Sequence, residues 1–145
     1  MLVRLIYASR AVDGIDEAFL KSILEQSREN NLEHGITGIL CTYPEGGVFI
    51  QALEGGREAV NRLYGNIIQD RRHCDVTILD FAEIEERRFA SWRMGNVDLN
   101  KVNRSSIFRY SEKAELDPFS MCGRCALALL EELASSASIG SYDGG

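Results

Sequence analysis

The chain has 145 residues, enough for one domain around one core, and its 45% hydrophobic and 26% charged content is that of an ordinary globule. Twenty-two acidic residues against 16 basic ones leave a formal charge of −6. Such a surface repels phosphate backbones, and the one basic cluster, Arg71-Arg72-His73, is too short to reverse that, which excludes direct nucleic-acid binding from the expectations. No apolar run approaches the ~20 residues that span a bilayer, and Met1-Leu2-Val3-Arg4 leads straight into a strand-like segment without a basic region and cleavage site, so a cytoplasmic protein without membrane contact is expected.

In chain order, residues 2–8 alternate as a strand, with Val3, Leu5 and Tyr7 on one face and Arg4, Ile6 and Ala8 on the other. After a turn at Val12-Asp13-Gly14, Asp16 can cap a helix in which Phe19, Leu20, Ile23, Leu24 and Ser27 recur at helical spacing, with Glu29-Asn30-Asn31-Leu32 as its polar end. Residues 35–41 read as a second strand. Pro44-Glu45-Gly46-Gly47 turns the chain back into a third, residues 48–53. A second helix follows Gly55-Gly56, with Val60, Leu63, Tyr64, Ile67 and Ile68 on one face; a fourth strand covers residues 76–81 and a fifth lies near 94–97. The fold class expected is α+β, a ferredoxin-like β-α-β-β-α-β-β sandwich. Its mixed five-stranded sheet carries two helices on one face. C-terminal helices at 101–108 and 119–133 cover the other face, where Ile6 and Ile50 point. The four cysteines include a CxxC at Cys122 and Cys125, with no second CxxC or HxxxH to complete a metal site; the pair reads as small apolar residues opening a helix, with a redox role as the alternative, and no metal is expected.

Gln51 is the anomaly. Five of the six residues from Val48 to Leu53 are apolar, so this strand should be buried on both sides, and a carboxamide left unpaired there costs on the order of 1–3 kcal/mol. Tyr7, on the adjacent central strand and the same face, offers a phenolic hydroxyl. Asn30 and Asn31 add amide groups from the end of the first helix. Tyr7 and Gln51 could simply satisfy each other in a core, and the two asparagines could serve as a helix C-cap. Together, the four outline a slot with neutral hydrogen-bonding groups between apolar helices, suited to a flat heterocycle with amide-like edges such as a flavin, whose faces would pack on Ile23 and Ile67. The residues by themselves specify a planar polar ligand and no more.

Arg4-Leu5-Ile6-Tyr7, Asn30-Asn31, Gly35-Ile36-Thr37-Gly38-Ile39-Leu40, Phe49-Ile50-Gln51 with Leu53-Glu54-Gly55, Asp70-Arg71-Arg72-His73, and Arg88-Phe89 with Trp92-Arg93-Met94 resemble the BLUF family, in order over roughly the first hundred residues. Arg109-Tyr110-Ser111 and the Ser120-Met121 helix look like its short, PixD-type members. The resemblance implies a blue-light photoreceptor rather than an enzyme, with a non-covalent flavin, FAD or alternatively FMN, between the two helices. It implies that Tyr7 is the photoactive tyrosine and Gln51 the switching glutamine, and that Trp92 and Met94 are the pair that exchange places near it. Asn31 would bond the flavin carbonyl edge with Asn30 beside it, and Asp70, Arg72 and His73 would lie near its pyrimidine and ribityl side. It further implies a homo-oligomer, with stacked rings as one form, that signals to a response-regulator-like partner protein. The organisation expected is a flavin-binding domain over residues 1–98, a helical cap over 99–134 and a disordered tail over 135–145. Two departures stand out: Arg93 replaces the family's usual serine, and Asn66 stands where many relatives have a basic residue.

Other classes fare less well. A ferredoxin-like enzyme such as an acylphosphatase or a small monooxygenase needs an anion-cradling loop or a catalytic histidine. Ser9-Arg10-Ala11 is the one candidate loop, and neither His34 nor His73 has an obvious nucleophile to serve. A pure interaction module would leave Gln51 and the asparagines unexplained.

Overall fold

The structure, a computed structural model, describes residues 1–92, 94–135 and 140–141, with residues 30–32 and 140–141 described by their backbone alone. Its elements run β1 (Leu2–Ala11), α1 (Glu17–His34), β2 (Thr37–Tyr43), β3 (Val48–Gly56), α2 (Arg57–Gln69), β4 (His73–Ile84), β5 (Gly95–Asp98), α3 (Arg104–Phe108), α4 (Gly123–Ser135) and a two-residue β6 (Gly140–Ser141). The sheet order is β4-β1-β3-β2-β5-β6, with β1 antiparallel to both β3 and β4, β2 antiparallel to β3, and β5 parallel to β2. This is the expected ferredoxin-like arrangement, with β1 and β3 at the centre.

Alternation along the strands divides the interior into two cores. Val3, Leu5 and Tyr7 of β1, Leu40 of β2 and Phe49 and Leu53 of β3 face Ile23 and Leu24 of α1 and Val60 and Leu63 of α2. On the reverse face, Ile6, Ala8, Ile39, Cys41, Ile50 and Ala52 meet Ala126, Leu129, Leu130 and Leu133, the i, i+3, i+4, i+7 stripe of α4. The C-terminal segment therefore covers the sheet as its apolar spacing suggests, though with α3 and α4 shorter than the helical ranges read from sequence.

Several boundaries differ from the sequence reading, each for a local reason. The Asp16 carboxylate accepts from the Phe19 amide at 2.8 Å, so the cap is where expected. The other end is not: α1 runs through Asn30 and Asn31 to His34, and the stop is Gly35, whose φ of +67° ends the helix at little steric cost. Asn30 and Asn31 are therefore helical residues, not a C-cap; their side chains lie outside the described residues. Ile68 is exposed, because at 100° per residue it sits well round α2 from Leu63, and the buried stripe is Val60, Leu63, Tyr64 and Ile67. β4 begins at His73 rather than Val76. In the tail, Ser135 closes α4 and Gly140–Ser141 pair with β5, while 136–139 and 142–145 lie outside the described residues, as does Arg93.

One buried charge organises the segment between β4 and β5. Arg4 and Glu54 stand opposite each other in the β1–β3 register and form an ion pair (Nη1 to Oε2, 3.3 Å) with Glu54 fully buried. The Glu54 carboxylate also accepts the backbone N–H of Arg88 at 3.0 Å and of Phe89 at 2.8 Å. Arg87 fastens the same segment from the other side, donating to the Thr37 hydroxyl (2.9 Å) and to the carbonyls of Glu54 (3.1 Å) and Gly35 (2.7 Å). Removing one partner of a buried, hydrogen-bonded pair strands the other charge and both amides. Glu54→Ala should therefore lose about 3–5 kcal/mol of unfolding free energy in urea titration. Glu58→Ala, which breaks the exposed Arg62–Glu58 pair on α2, should lose less than about 1 kcal/mol.

Candidate functional site

The β1–β3 register places Tyr7 directly across from Gln51. Both point between α1 and α2, and they are 2% and 1% exposed, respectively. The Tyr7 hydroxyl donates a short hydrogen bond to Gln51 Oε1, and Gln51 Nε2 donates to the Met94 sulfur at 3.3 Å. The carboxamide thus carries a strong donor on its oxygen and a weak thioether acceptor on its nitrogen, leaving its second N–H uncommitted in these contacts. Met94 can reach this position because Gly38 faces it: a Cβ on Gly38 would lie 2.0 Å from the Ala52 carbonyl oxygen and 3.2 Å from Met94 Cε. The Gly38 amide in turn donates to the Trp92 carbonyl at 3.1 Å, which sets the height of this segment against β2.

Above the pair lies a narrow cleft of about 30 Å³. Its walls are Ile23, Gln26 and Ser27 of α1 and Leu63, Asn66 and Ile67 of α2; Tyr7 and Gln51 form the floor, and Asp70 and His73 close one end. The ring of Tyr7 packs edge-on against Phe49 (6.2 Å, 80°) and tilted against Tyr64 (5.8 Å, 59°). A broader depression beside the start of α2, bordered by Met1, Arg57, Arg62 and Phe81, is lined by exposed and half-buried side chains and has no comparable buried polar partners.

Electrostatics hold these groups neutral or paired. Burial pushes the Tyr7 phenol well above the usual phenolic range, and the nearby Tyr64 and Asp70 push the same way. The Arg72 side chain, bonded to Asp70, holds its carboxyl below the ordinary carboxylate value against the opposing effect of burial. Arg72 grips both carboxylate oxygens, with Nε at 3.0 Å from each, and reaches across to α1, where it donates to the Ser22 hydroxyl and to Gln26 Oε1 (2.7 Å). That guanidinium straps the α2–β4 turn to α1. His73 opens β4 against the buried hydroxyl of Ser9 (Nδ1 to Oγ, 2.6 Å). The same Ser9 hydroxyl lies 3.0 Å from the Cys74 carbonyl. Burial lowers the His73 pKa, offset in part by Asp70 and reinforced by Arg72.

Of the residues expected at the site from sequence, Tyr7, Ile23, Gln51, Ile67, Asp70 and His73 line one cleft, Arg72 braces its rim, and Met94 bonds its floor. Trp92 is not brought to Gln51; it is half-buried and packs against the reverse-face core. Gln26, Ser27, Leu63, Ser9 and the Glu54 anchor were not singled out. Ser9 had a signal, since it follows Tyr7 by two and so shares its face of β1. Glu54 had one too, as a carboxylate ending an apolar strand. The cleft combines aliphatic with amide and hydroxyl side chains in its walls, a donor–acceptor floor and a charge-compensated end, a lining suited to a planar heterocycle with a polar edge.

Comparison with known proteins adds a family. The model of BLUF, described as sensors of blue light using FAD, matches residues 2–95. Among solved structures, BlsA in its photo-activated state superposes with a TM-score of 0.81 at 31% identity over 95% of this chain and 98% of that one. BlrB in its dark state gives 0.74 at 32% identity, over 92% and 96% of the two chains. Among curated relatives, the photoactivated adenylate cyclase subunit beta of Euglena gracilis is 38% identical over 90 residues, 62% of this chain and 10% of that protein, so the chain spans about a tenth of such relatives. No helix among the described residues is long and apolar enough to cross a membrane.

The depressed His73 pKa has a consequence for stability. A histidine whose folded pKa lies below its unfolded value of about 6.5 contributes stability that is present above that value and lost as pH falls through the folded pKa. Unfolding free energy should therefore rise with pH as it approaches about 6.5, and His73→Gln should flatten that rise, as read from urea midpoints across this window.

Proposed function

The chain thus belongs to the BLUF family, and on that premise we propose that it senses blue light through the hydrogen-bond chain Tyr7–Gln51–Met94 at the floor of a flavin cleft. The observation that carries this reading is the buried carboxamide bonded on both sides beneath a cleft walled by Ile23, Leu63 and Ile67 together with Gln26, Ser27 and Asn66. FAD is the flavin named in the family's description. Ile23, Leu63 and Ile67 would pack on its ring faces and Gln51 would meet its polar edge, with Asn30 and Asn31 of α1 as further partners by resemblance. Asp70, Arg72 and His73 would border the ribityl side; as an internally compensated pair, Asp70 and Arg72 suit hydroxyls better than a bare charge.

When bound, the flavin supplies a strong oxidant on absorbing blue light. The chain supplies the proton path. Tyr7 is neutral at rest, its hydroxyl donating to Gln51 Oε1, and electron loss would make that proton acidic. Gln51 can both take and give a proton or turn its amide end for end. Turning would place Nε2 toward Tyr7 and Oε1 toward the Met94 sulfur. Two acceptors then face each other at Met94, so the resting orientation is the better satisfied one and return to it is built in. In this reading the altered Gln51 bonds act on Met94 and through the β4–β5 segment on the C-terminal cap, which presents the signal to a separate, response-regulator-like partner from a homo-oligomer, without catalysis by the chain itself. The near end-to-end match to BlsA and BlrB supports a sensor of this size.

An absorption spectrum before and after blue light tests the reading. The purified chain should carry a flavin band that shifts to the red on illumination and returns in the dark, and Gln51→Leu and Tyr7→Phe should keep the band but lose the shift. A protein that takes up no flavin when it is offered, or a Gln51→Leu variant that still shifts, would overturn it.

A further inference from the structure

Cys122 and Cys125 sit on the face of the sheet away from the cleft, at the start of α4, and have no part in the function proposed above. The reading of them as apolar helix-openers fits Cys125, which is half-buried and packs against the reverse-face core, but not Cys122, which is exposed; both are free thiols. Cys122 is the residue before the first turn of α4. Its carbonyl accepts the Ala126 amide at 3.0 Å, and its sulfur accepts the Cys125 amide at 3.3 Å, the place usually taken by a serine or aspartate oxygen. A sulfur there is favoured as thiolate by the helix's unpaired amides. The Cys125 side chain also hydrogen-bonds it, which lowers the Cys122 pKa first of all, with the Cys125 amide and then Arg124 adding to the effect, while the same contact raises that of Cys125. The exposed sulfur is thus made the more acidic and the half-buried one behind it the less, the order a dithiol exchange requires. No group of three or more metal-ligating side chains occurs among the described residues, so the pair is not part of such a metal cluster.

The surroundings make the site accessible from one side only. A Cβ on Gly123 would lie 2.5 Å from the Leu79 carbonyl oxygen, so the start of α4 is pressed onto β4 and cannot shift inward. On the outer side, both cysteines line a depression of about 420 Å³ bordered by Arg109, Tyr110, Ser111, Glu112, Ser120 and Met121.

We propose that Cys122 and Cys125 are a redox-active dithiol site that exchanges with small disulfides of the glutathione class. The Cys122 thiolate attacks the disulfide RSSR; a Cys122–S–SR bond forms and RS⁻ leaves. Cys125 then loses its proton and attacks the Cys122 sulfur, forming the Cys122–Cys125 bond and expelling the second RS⁻. The two thiolates released take up the two protons lost by the cysteines, so protein dithiol and RSSR become protein disulfide and two RSH. Cys41 takes no part, since it is fully buried and burial pushes its thiol up.

The test uses the full chain, equilibrated in mixtures of reduced and oxidised glutathione, quenched in acid, alkylated and mapped by peptide mass. The peptide with Cys122 and Cys125 should lose two hydrogens in oxidised mixtures and regain them with dithiothreitol, while Cys41 and Cys74 stay alkylated. Cys125→Ser should trap glutathione on Cys122, and Cys122→Ser should leave Cys125 no more reactive than Cys74. In the unmutated protein near neutral pH, iodoacetamide should label Cys122 several-fold faster than the equally exposed Cys74. Two thiols that persist in fully oxidised glutathione, or a Cys122 that labels no faster than Cys74, would overturn the proposal.

Discussion

A single carboxamide buried in the middle of an apolar strand constrains much of this molecule. Gln51 has sheet on both sides and helices above, so its polar atoms must find partners within the protein or in a ligand. Tyr7 supplies one because β1 is the neighbour of β3 and the register is unshifted between them. Met94 supplies another only because Gly38 leaves room beside the Ala52 carbonyl. The order of the sheet, one glycine and one methionine thus all answer to the same side chain.

The reverse face follows a different logic. There the sheet is sealed by the apolar stripe of α4, and the polar exception is the Arg4–Glu54 pair, placed where the β4–β5 segment crosses the end of β3. Glu54 does more than neutralise Arg4: its two oxygens hold consecutive backbone amides, while Arg87 reaches three oxygens on β2, β3 and the turn before β2. Phe89 is thereby seated in the core, and the short β5 starts from a fixed point.

Much of this could be read from the chain itself. Alternation in β1 and β3 and the 3.6-residue stripes of α2 and α4 gave the layers, because burial of one face leaves that pattern in any sequence. Gln51 and Tyr7 stood out as polar residues where the pattern demanded apolar ones. What could not be read depends on distance across the fold. The extension of α1 past Asn30 and Asn31 was set by Gly35 rather than by the polar run before it. Arg72 grips Asp70 only two residues away, but its reach to Ser22 and Gln26 joins residues about fifty apart, and nothing local announces it. Trp92 and Met94, two apart, would share a face in a regular strand, yet they end in different cores because β5 begins only at Gly95.

That last arrangement has a mechanical side. Trp92 packs against one core and Met94 in the other, with the Trp92 carbonyl pinned to β2 by the Gly38 amide and its amide moored to the Phe89 carbonyl. The hydrogen bond at the Gln51 amide and the packing beneath α4 are thus only two residues apart along the chain, on opposite sides of an unbroken sheet.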